Sequence, residues 1–363
     1  MKVLLLGGTG AMGVPLSQML ADNGHDVTVT SRRNLQKKEI TIVRGNALEF
    51  NFVAKLMQTH YDVVVDFMVR SEAETKVVMD IILPSCSQYI FLSSSRVFAP
   101  INMENGERIT EKSPRLLDVC KDRRYVESRE YAIEKAREEN LFFKSRYKNW
   151  TVVRPTLTYN THRLQLAYGE KEDWLFRVLN GQSVVFPKDM KDIKTAMVHG
   201  DDVAKAIFKL IGNKKALGMA VNVVSEEFKT WGEILDIYRK VIEKQTGKKM
   251  EVVYVDKALD LAKELGNYYQ VKYARALDRC FSNELLKTLE DIEFTPIEKG
   301  LTSCLNTFLE APQFVSIDWR RQVCYDKICK EWTPFNSMPS MRVLISYLFR
   351  RCHAGWILKI VHK

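Results

Sequence analysis

The chain begins Met1-Lys2-Val3-Leu4-Leu5-Leu6-Gly7-Gly8-Thr9-Gly10-Ala11-Met12-Gly13, an apolar run that feeds straight into Gly-x-x-Gly-x-x-Gly. A parallel strand covered on both faces reads as such an unbroken apolar run. Met12, Leu16 and Leu20 then recur at helical spacing as far as Asn23, and Gly24 closes the helix as its C′ residue. Strand, glycine turn and helix together make a phosphate cradle. Gly7 permits the tight turn, Gly10 lets the backbone approach a pyrophosphate, and Gly13 lets helix pack on strand. The free N–H groups of the turn, around Thr9, Ala11 and Met12, favour the anion together with the dipole of the helix start. Pro15 falls in the first turn, where its missing N–H matters little.

The end of the second strand bears on which dinucleotide fits. His25–Thr30 runs into Ser31-Arg32-Arg33 with no carboxylate. A site for NAD usually places Asp or Glu there, on the ribose 2′-hydroxyl. A 2′-phosphate would instead find the Ser31 hydroxyl and the guanidiniums of Arg32 and Arg33. NADP(H) is therefore the expected cofactor, with NAD(H) held through backbone contacts as the alternative.

The remaining pattern is that of an α/β protein. Strand signals at Ile40–Val43, Asp62–Asp66, Tyr89–Leu92 and Trp150–Val153 alternate with helical stretches at Phe52–Thr59, Glu72–Leu83 and about Arg124–Asn140. Arg154-Pro155 breaks the last of these strands on this reading. The order predicts a Rossmann-type, doubly wound parallel sheet over residues 1–155. From Pro155 the pattern loosens. Residues 156–300 read as a smaller substrate-binding lobe interleaved with the last sheet strands, and 301–363 as a helical extension. Expected elements there are helices at Asp173–Leu179, Asp201–Ile211, Thr230–Gln245 and near Leu259–Leu265. Strands are expected at Val184–Phe186, Ala220–Val224 and Met250–Val255.

Composition excludes several classes. The chain has 363 residues, of which 46% are hydrophobic, and a formal net charge of +10. That charge suits anionic small molecules and permits weak attraction to nucleic acid or acidic lipid. Seven cysteines are scattered with no Cys-x-x-Cys pair, which points to thiols in a reducing compartment and to no zinc site. The histidines show no metal-ligand spacing. The first strand starts so early that no signal peptide is expected, and no apolar stretch is long enough to span a membrane. A cytoplasmic protein is the expectation.

Tyr131 and Lys135 lie four apart on a predicted helix and so share one side of it. An ordinary Tyr has a pKa near ~10, and bringing it close to 7 takes about 4 kcal/mol of preference for the phenolate. A nearby ammonium supplies part of that preference. Tyr131 then exchanges a proton with a substrate hydroxyl or carbonyl, and Ser94, at the carboxyl end of a central strand, hydrogen-bonds the same oxygen. The spacing alone is cheap: among 14 tyrosines a second copy occurs at Tyr268…Lys272. Order favours Tyr131, which falls after Ser93-Ser94-Ser95 and before Arg154-Pro155. Tyr125…Arg129 reads as a solvated near-miss.

The chain resembles the extended short-chain dehydrogenase/reductase family, also called the NAD-dependent epimerase/dehydratase family, over roughly residues 1–300. Five motifs carry this in order: Gly7-x-x-Gly10-x-x-Gly13, Ser93-Ser94-Ser95-x-Val97-Phe98, Tyr131-x-x-x-Lys135, Arg154-Pro155 and Val198-His199-Gly200-Asp201-Asp202-Val203-Ala204. The resemblance implies that Ser94 is the catalytic serine, with Ser93 or Ser95 as fallback. It implies that Lys135 binds the nicotinamide ribose, that Pro155 belongs to the cofactor site, and that the later lobe holds the substrate. It also implies a homodimer through a helix pair that includes the Tyr131 helix. The chain departs from the family at Asp66-Phe67-Met68-Val69, where small residues are usual, and at Asn46, which replaces an acid that contacts adenine. It departs again at Lys194-Thr195, where nucleotide-sugar members often carry Arg. The implied function is NADP(H)-dependent hydride transfer at a carbinol or keto carbon of a sugar, foremost a nucleotide sugar. The alternative is a non-catalytic or RNA-binding member of the same fold.

His199 reads as a packed or supporting histidine, and Asp201-Asp202 as the start of a helix. Arg154 is divided between a ligand contact and a structural ion pair. Trp174, Phe176 and Arg177 read as a substrate-lobe helix whose aromatics pack in the core. Met341–Lys363 is basic, free of acids and amphipathic, with a break at Gly355. It suits an anionic membrane face, its own domain or a partner subunit.

Overall fold

The computed structural model describes residues 1–103 and 106–352. Two compact units emerge. The first comprises Met1–Asn160, Ala196–Phe228 and Arg279–Ile297; the second comprises Thr161–Thr195, Lys229–Asp278 and Glu298–Lys363.

The first unit is built on a seven-stranded sheet. Its strands are β1 (Lys2–Leu6), β2 (Asp26–Ser31), β3 (Thr41–Arg44), β4 (Tyr61–Asp66), β5 (Cys86–Leu92), β6 (Trp150–Pro155) and the strand Met219–Val223. The last of these lies at one edge, followed by β6, β5, β4, β1, β2 and β3. Every pairing is parallel. The order reverses at β1, which makes the crevice at its carboxyl end the natural ligand position.

Alternation explains the unbroken apolar runs. Val3, Leu5, Val63, Val65, Ile90 and Leu92 face one helical layer, formed by α1 (Gly13–Asp22) and α8 (Gly200–Leu210). Leu4, Leu6, Val64, Tyr89, Phe91 and Val152 face the other, with α2 (Phe50–Leu56), α3 (Glu72–Ile82) and Phe142 of α6 (Tyr131–Lys144). Both faces are dry, so neither strand parity tolerates a polar side chain without a partner.

Two expectations need correction. The single helix over Arg124–Asn140 is two: α5 (Arg123–Val126) and α6, after the four-residue α4 (Leu116–Val119). Asp122 caps α5 through the Tyr125 N–H, and Glu130 caps α6 through the Ala132 N–H. Glu130 is extended (φ −64°, ψ 140°), so the helix restarts at Tyr131. Arg154-Pro155 does not break β6, which pairs with its neighbour through Arg154↔Asn222 and Pro155↔Val223. Pro155 is the last residue of the strand, where a missing donor costs no ladder bond.

The second unit has its own small pairings. Val184–Pro187 runs parallel to Val252–Val255, and Lys194–Thr195 antiparallel to Lys229–Thr230. Thr230 caps α9 (Trp231–Thr246) in a capping box with Glu233. Trp174 of α7 (Lys171–Leu179) stacks on Tyr238 at 4.6 Å. Arg177, fully buried, meets Asp326 at 2.8 Å and Glu331 at 2.9 Å. These charges tie the helix Trp319–Cys329 to α7. Residues 353–363, including the expected break at Gly355, lie outside the described residues.

Candidate active site

The glycine turn leaves a cradle of backbone. Gly7 has φ +72°, and its N–H donates to Thr30 Oγ1 at 2.8 Å. A Cβ on Gly7 would lie 2.5 Å from Met68 Sδ, and one on Gly13 would lie 2.5 Å from the Gly8 Cα. A Cβ on Gly10 would meet nothing within 4 Å. Gly10 therefore borders open space that a side chain would fill, while Gly7 and Gly13 are fixed by contact. No side chain caps α1, and no acid stands in its first turn. This arrangement fits a pyrophosphate. Gly200 closes in from another motif: its Cβ would lie 3.1 Å from the Ala11 carbonyl. His199 caps α8, its Nδ1 accepting from the Asp201 N–H at 3.1 Å, and it packs edge-on to Tyr159. Asp202 is buried and accepts from the Thr295 N–H at 2.7 Å.

At the end of β2, Ser31 is buried and its Oγ accepts from the Arg33 N–H at 3.1 Å. Arg32 and Arg33 are exposed, and neither forms an ion pair with a carboxylate among the described residues. Asn46 turns inward on its own loop. Its Oδ1 accepts from Leu48 N–H at 3.2 Å and its Nδ2 donates to Glu49 at 3.3 Å.

Ser94 follows β5, and Tyr131 and Lys135 stand on α6. Ser94 Oγ accepts from the Arg96 N–H at 3.2 Å, capping the turn Ser95–Val97. Its own O–H is left to donate. Ser93, by contrast, donates to Glu139 Oε1 at 2.6 Å. The turn packs on α6. Arg96 makes the tie: it pairs with Glu130, and its guanidinium carbon lies 5.4 Å from the Tyr131 ring centroid. Tyr131 is half-buried in the first turn of α6. One turn on, Lys135 is buried, its Nζ 4.4 Å from the Phe91 ring centroid and 3.3 Å from Glu138 Oε2.

The model of the NAD dependent epimerase/dehydratase family matches residues 3–223. The chain belongs to that family. It is a member of the extended short-chain dehydrogenase/reductase family, as the five motifs imply. Among curated proteins it is similar to the chloroplast stem-loop binding protein of 41 kDa b from Arabidopsis thaliana, 27% identical over 248 residues. That match spans 63% of this chain and 60% of the relative's length. Among solved structures, dTDP-glucose 4,6-dehydratase from Bacillus anthracis in complex with NAD superposes with a TM-score of 0.65 at 15% identity, over 86% of this chain and 97% of that one. UDP-glucose 4-epimerase from Thermotoga maritima with UDP-glucose gives 0.64 at 18%, over 86% and 100%. At these identities the likeness shows a shared fold.

Behind the epimerase-family motifs lie charges that sequence reasoning missed. Glu139 is fully buried and accepts from Arg154 Nε and Nη2, both at 2.7 Å, and from Arg115 at 3.3 Å. Arg154 is therefore structural here. Asp66 accepts from Arg70 at 2.5 Å and from the Tyr89 hydroxyl at 2.7 Å, while Arg70 reaches the Ala47 carbonyl at 2.7 Å. This knot pins the bulky Phe67–Val69 segment beside Gly7. Tyr125 corrects another expectation: it is buried, its hydroxyl on Glu130 at 3.2 Å. A usable signal existed for the glutamates. Ala132, Ile133, Ala136 and Phe142 mark the buried face of α6, and Glu138 and Glu139 fall on it by spacing.

Glu138 gives a pH-dependent prediction. Burial pushes its carboxyl from 4.5 up to about 7, against the pull of Lys135 and the Thr75 hydroxyl bond. The folded state keeps this proton to higher pH than the unfolded chain does. Its stabilising contribution is present below about 4.5 and is lost as pH rises through about 7. Denaturation across this range should show Glu138→Gln gaining on the parent by on the order of 3 kcal/mol, then levelling. A gap that ignores pH contradicts the assignment.

Tyr268 and Lys272 lie in the second unit, Lys272 Nζ 5.5 Å from the Tyr268 ring centroid. Among the described residues no three His, Cys, Asp or Glu group to hold a metal, and no helix is long and apolar enough to cross a membrane.

Proposed function

We propose that this chain is an NADP(H)-dependent oxidoreductase or epimerase acting on a carbinol or keto group of a nucleotide sugar. The observation that supports this most is the Arg96–Glu130 tie, which anchors the turn after β5 to the start of the helix that carries Tyr131. The glycine turn, with its open cradle at Gly10, binds the pyrophosphate. Arg32 and Arg33 take the 2′-phosphate, and Lys135 orients the nicotinamide ribose. A bound nicotinamide supplies hydride transfer at the reacting carbon. Ser94 donates to the substrate oxygen, Tyr131 Oη gives or takes its proton, and the Lys135 ammonium favours the phenolate while this happens. The second unit is assigned to substrate recognition, and α6 to a homodimer contact. Solved relatives bound to NAD or to UDP-glucose support the ligand class.

Two measurements test this. Absorbance of NADPH should fall when the protein meets 4-keto nucleotide sugars; the absence of any dinucleotide binding overturns the reading. The double variant Arg32→Ala/Arg33→Ala should weaken NADPH about 100-fold, since each charge-assisted phosphate bond is worth about 1.5–3 kcal/mol. NADH affinity should stay within about twofold, because it lacks the phosphate. Equal losses for both cofactors reject the NADP assignment.

The relative's name favours a second reading, in which the fold binds a nucleic-acid stem-loop. The net charge of +10 supports it. RNA association that falls steeply with salt and ignores Tyr131→Phe would establish it over the first.

A further inference from the structure

The helix Met341–Arg351 is held to its unit by one side only. Tyr347 is fully buried, its hydroxyl 2.6 Å from Asp326 Oδ2, and it also accepts from the Thr333 N–H at 3.1 Å. Arg351 lies over the Trp332 ring at 4.8 Å and donates to the Glu331 carbonyl at 3.3 Å. Tyr347 and Arg351 are one turn apart and mark the inner side. The outer side carries Met341, 69% exposed, and Ile345, 47% exposed, with Phe349 half-buried one turn on. Residues at i, i+4 and i+8 stand in one stripe. Trp332 and Phe335 precede the helix, each 49% exposed and each edge-on to Tyr347. A soluble helix normally turns its apolar stripe inward and its charges out. Here the outward stripe is apolar.

The charge along this stretch of sequence has one sign. From Trp332 to Cys352 it holds Arg342, Arg350 and Arg351 and no Asp or Glu, although acids make up 45 of the 363 residues. The nearest acids along the chain are engaged: Asp326 by Arg177, Thr333 and Tyr347, and Glu331 by Arg177 and Ser183. We propose that this stripe, with Trp332 and Phe335 beside it, docks on an anionic lipid surface. Such a surface takes both features at once. Its acidic headgroups draw the cations, and its acyl boundary covers Met341, Ile345 and the aromatic rings. A second copy of the same face would bring arginines against arginines. A nucleic acid would neutralise the cations and leave the Met341–Ile345 stripe wet. The inference does not depend on the hydride-transfer reading.

Vesicle sedimentation of the full chain tests it. The probes are phosphatidylcholine vesicles, alone and with about one third phosphatidylserine, at low and high salt. The expected result is binding to the anionic vesicles, weakened at least tenfold by high salt and at least tenfold on neutral vesicles. Ile345→Asp and Arg342→Glu, both at exposed positions, should each lower it at least tenfold while leaving the melting curve unchanged. No vesicle binding overturns the proposal, and so does equal binding to neutral vesicles. Binding that survives Ile345→Asp overturns it too. If Ile345→Asp instead converts a dimer to a monomer, or if RNA binding is lost with Arg342→Glu in the absence of vesicle binding, the face belongs to another partner and the proposal fails.

Discussion

Replacing Tyr131 by phenylalanine should lower kcat by about 10²–10⁴-fold, the usual contribution of a positioned general acid or base. Dinucleotide affinity should stay within about twofold, because the phenol oxygen alone is lost. The structure makes the substitution clean. Arg96 faces the ring rather than the hydroxyl, so its contact survives, and the cap at Glu130 acts on the Ala132 N–H. The comparison that decides is stopped-flow turnover against fluorescence titration of NADPH on the same preparation. Retained turnover removes Tyr131 from its role. Loss of both turnover and binding would show that the hydroxyl itself supports the fold or the cofactor, which the retained Arg96–ring contact argues against.

The second large effect is on stability. Glu139→Ala should cost about 3–5 kcal/mol, because it strands a buried guanidinium. Arg154 is almost wholly buried and relies on Glu139 for two of its hydrogen bonds, and Ser93 loses its acceptor as well. The exposed pair Arg123–Glu127 gives the control: its partners are 88% and 67% exposed, and removing Glu127 should change the urea midpoint very little. A midpoint for Glu139→Ala close to that of the parent would contradict the reliance of Arg154 on this carboxylate.

These two residues also show where sequence reading succeeds and where it stops. Tyr131 stands out in the sequence as a candidate because four ordered motifs flank it, and its one-turn spacing from Lys135 is kept in α6. The central strands were legible because burial on both faces writes them as apolar runs, as in Val63-Val64-Val65. Glu139 carried no signal beyond its spacing on the buried face of α6. A charged residue in a charged stretch reads as solvated, and its partners Ser93 and Arg154 lie 46 and 15 residues away. The same holds for the Asp66–Arg70–Tyr89 knot, which closes only when β4 and β5 pair. The restart of the helix at Tyr131 depends on the caps Asp122 and Glu130, and carboxylates inside a long polar stretch are equally good helix residues. In the second unit, Val184–Pro187 pairs with a strand 68 residues later, so its neighbour carries no local signature.

The central claim is that one carbinol carbon can lie against a bound nicotinamide while its oxygen reaches both Tyr131 and Ser94. A crystal structure of the protein with NADP⁺ measures this directly. The account predicts the pyrophosphate on the Gly7–Gly13 turn, and the nicotinamide C4 and Tyr131 Oη each about 3–3.5 Å from a shared substrate position. A dinucleotide seated elsewhere, or a nicotinamide too far from Tyr131 Oη to share a substrate with it, would contradict it.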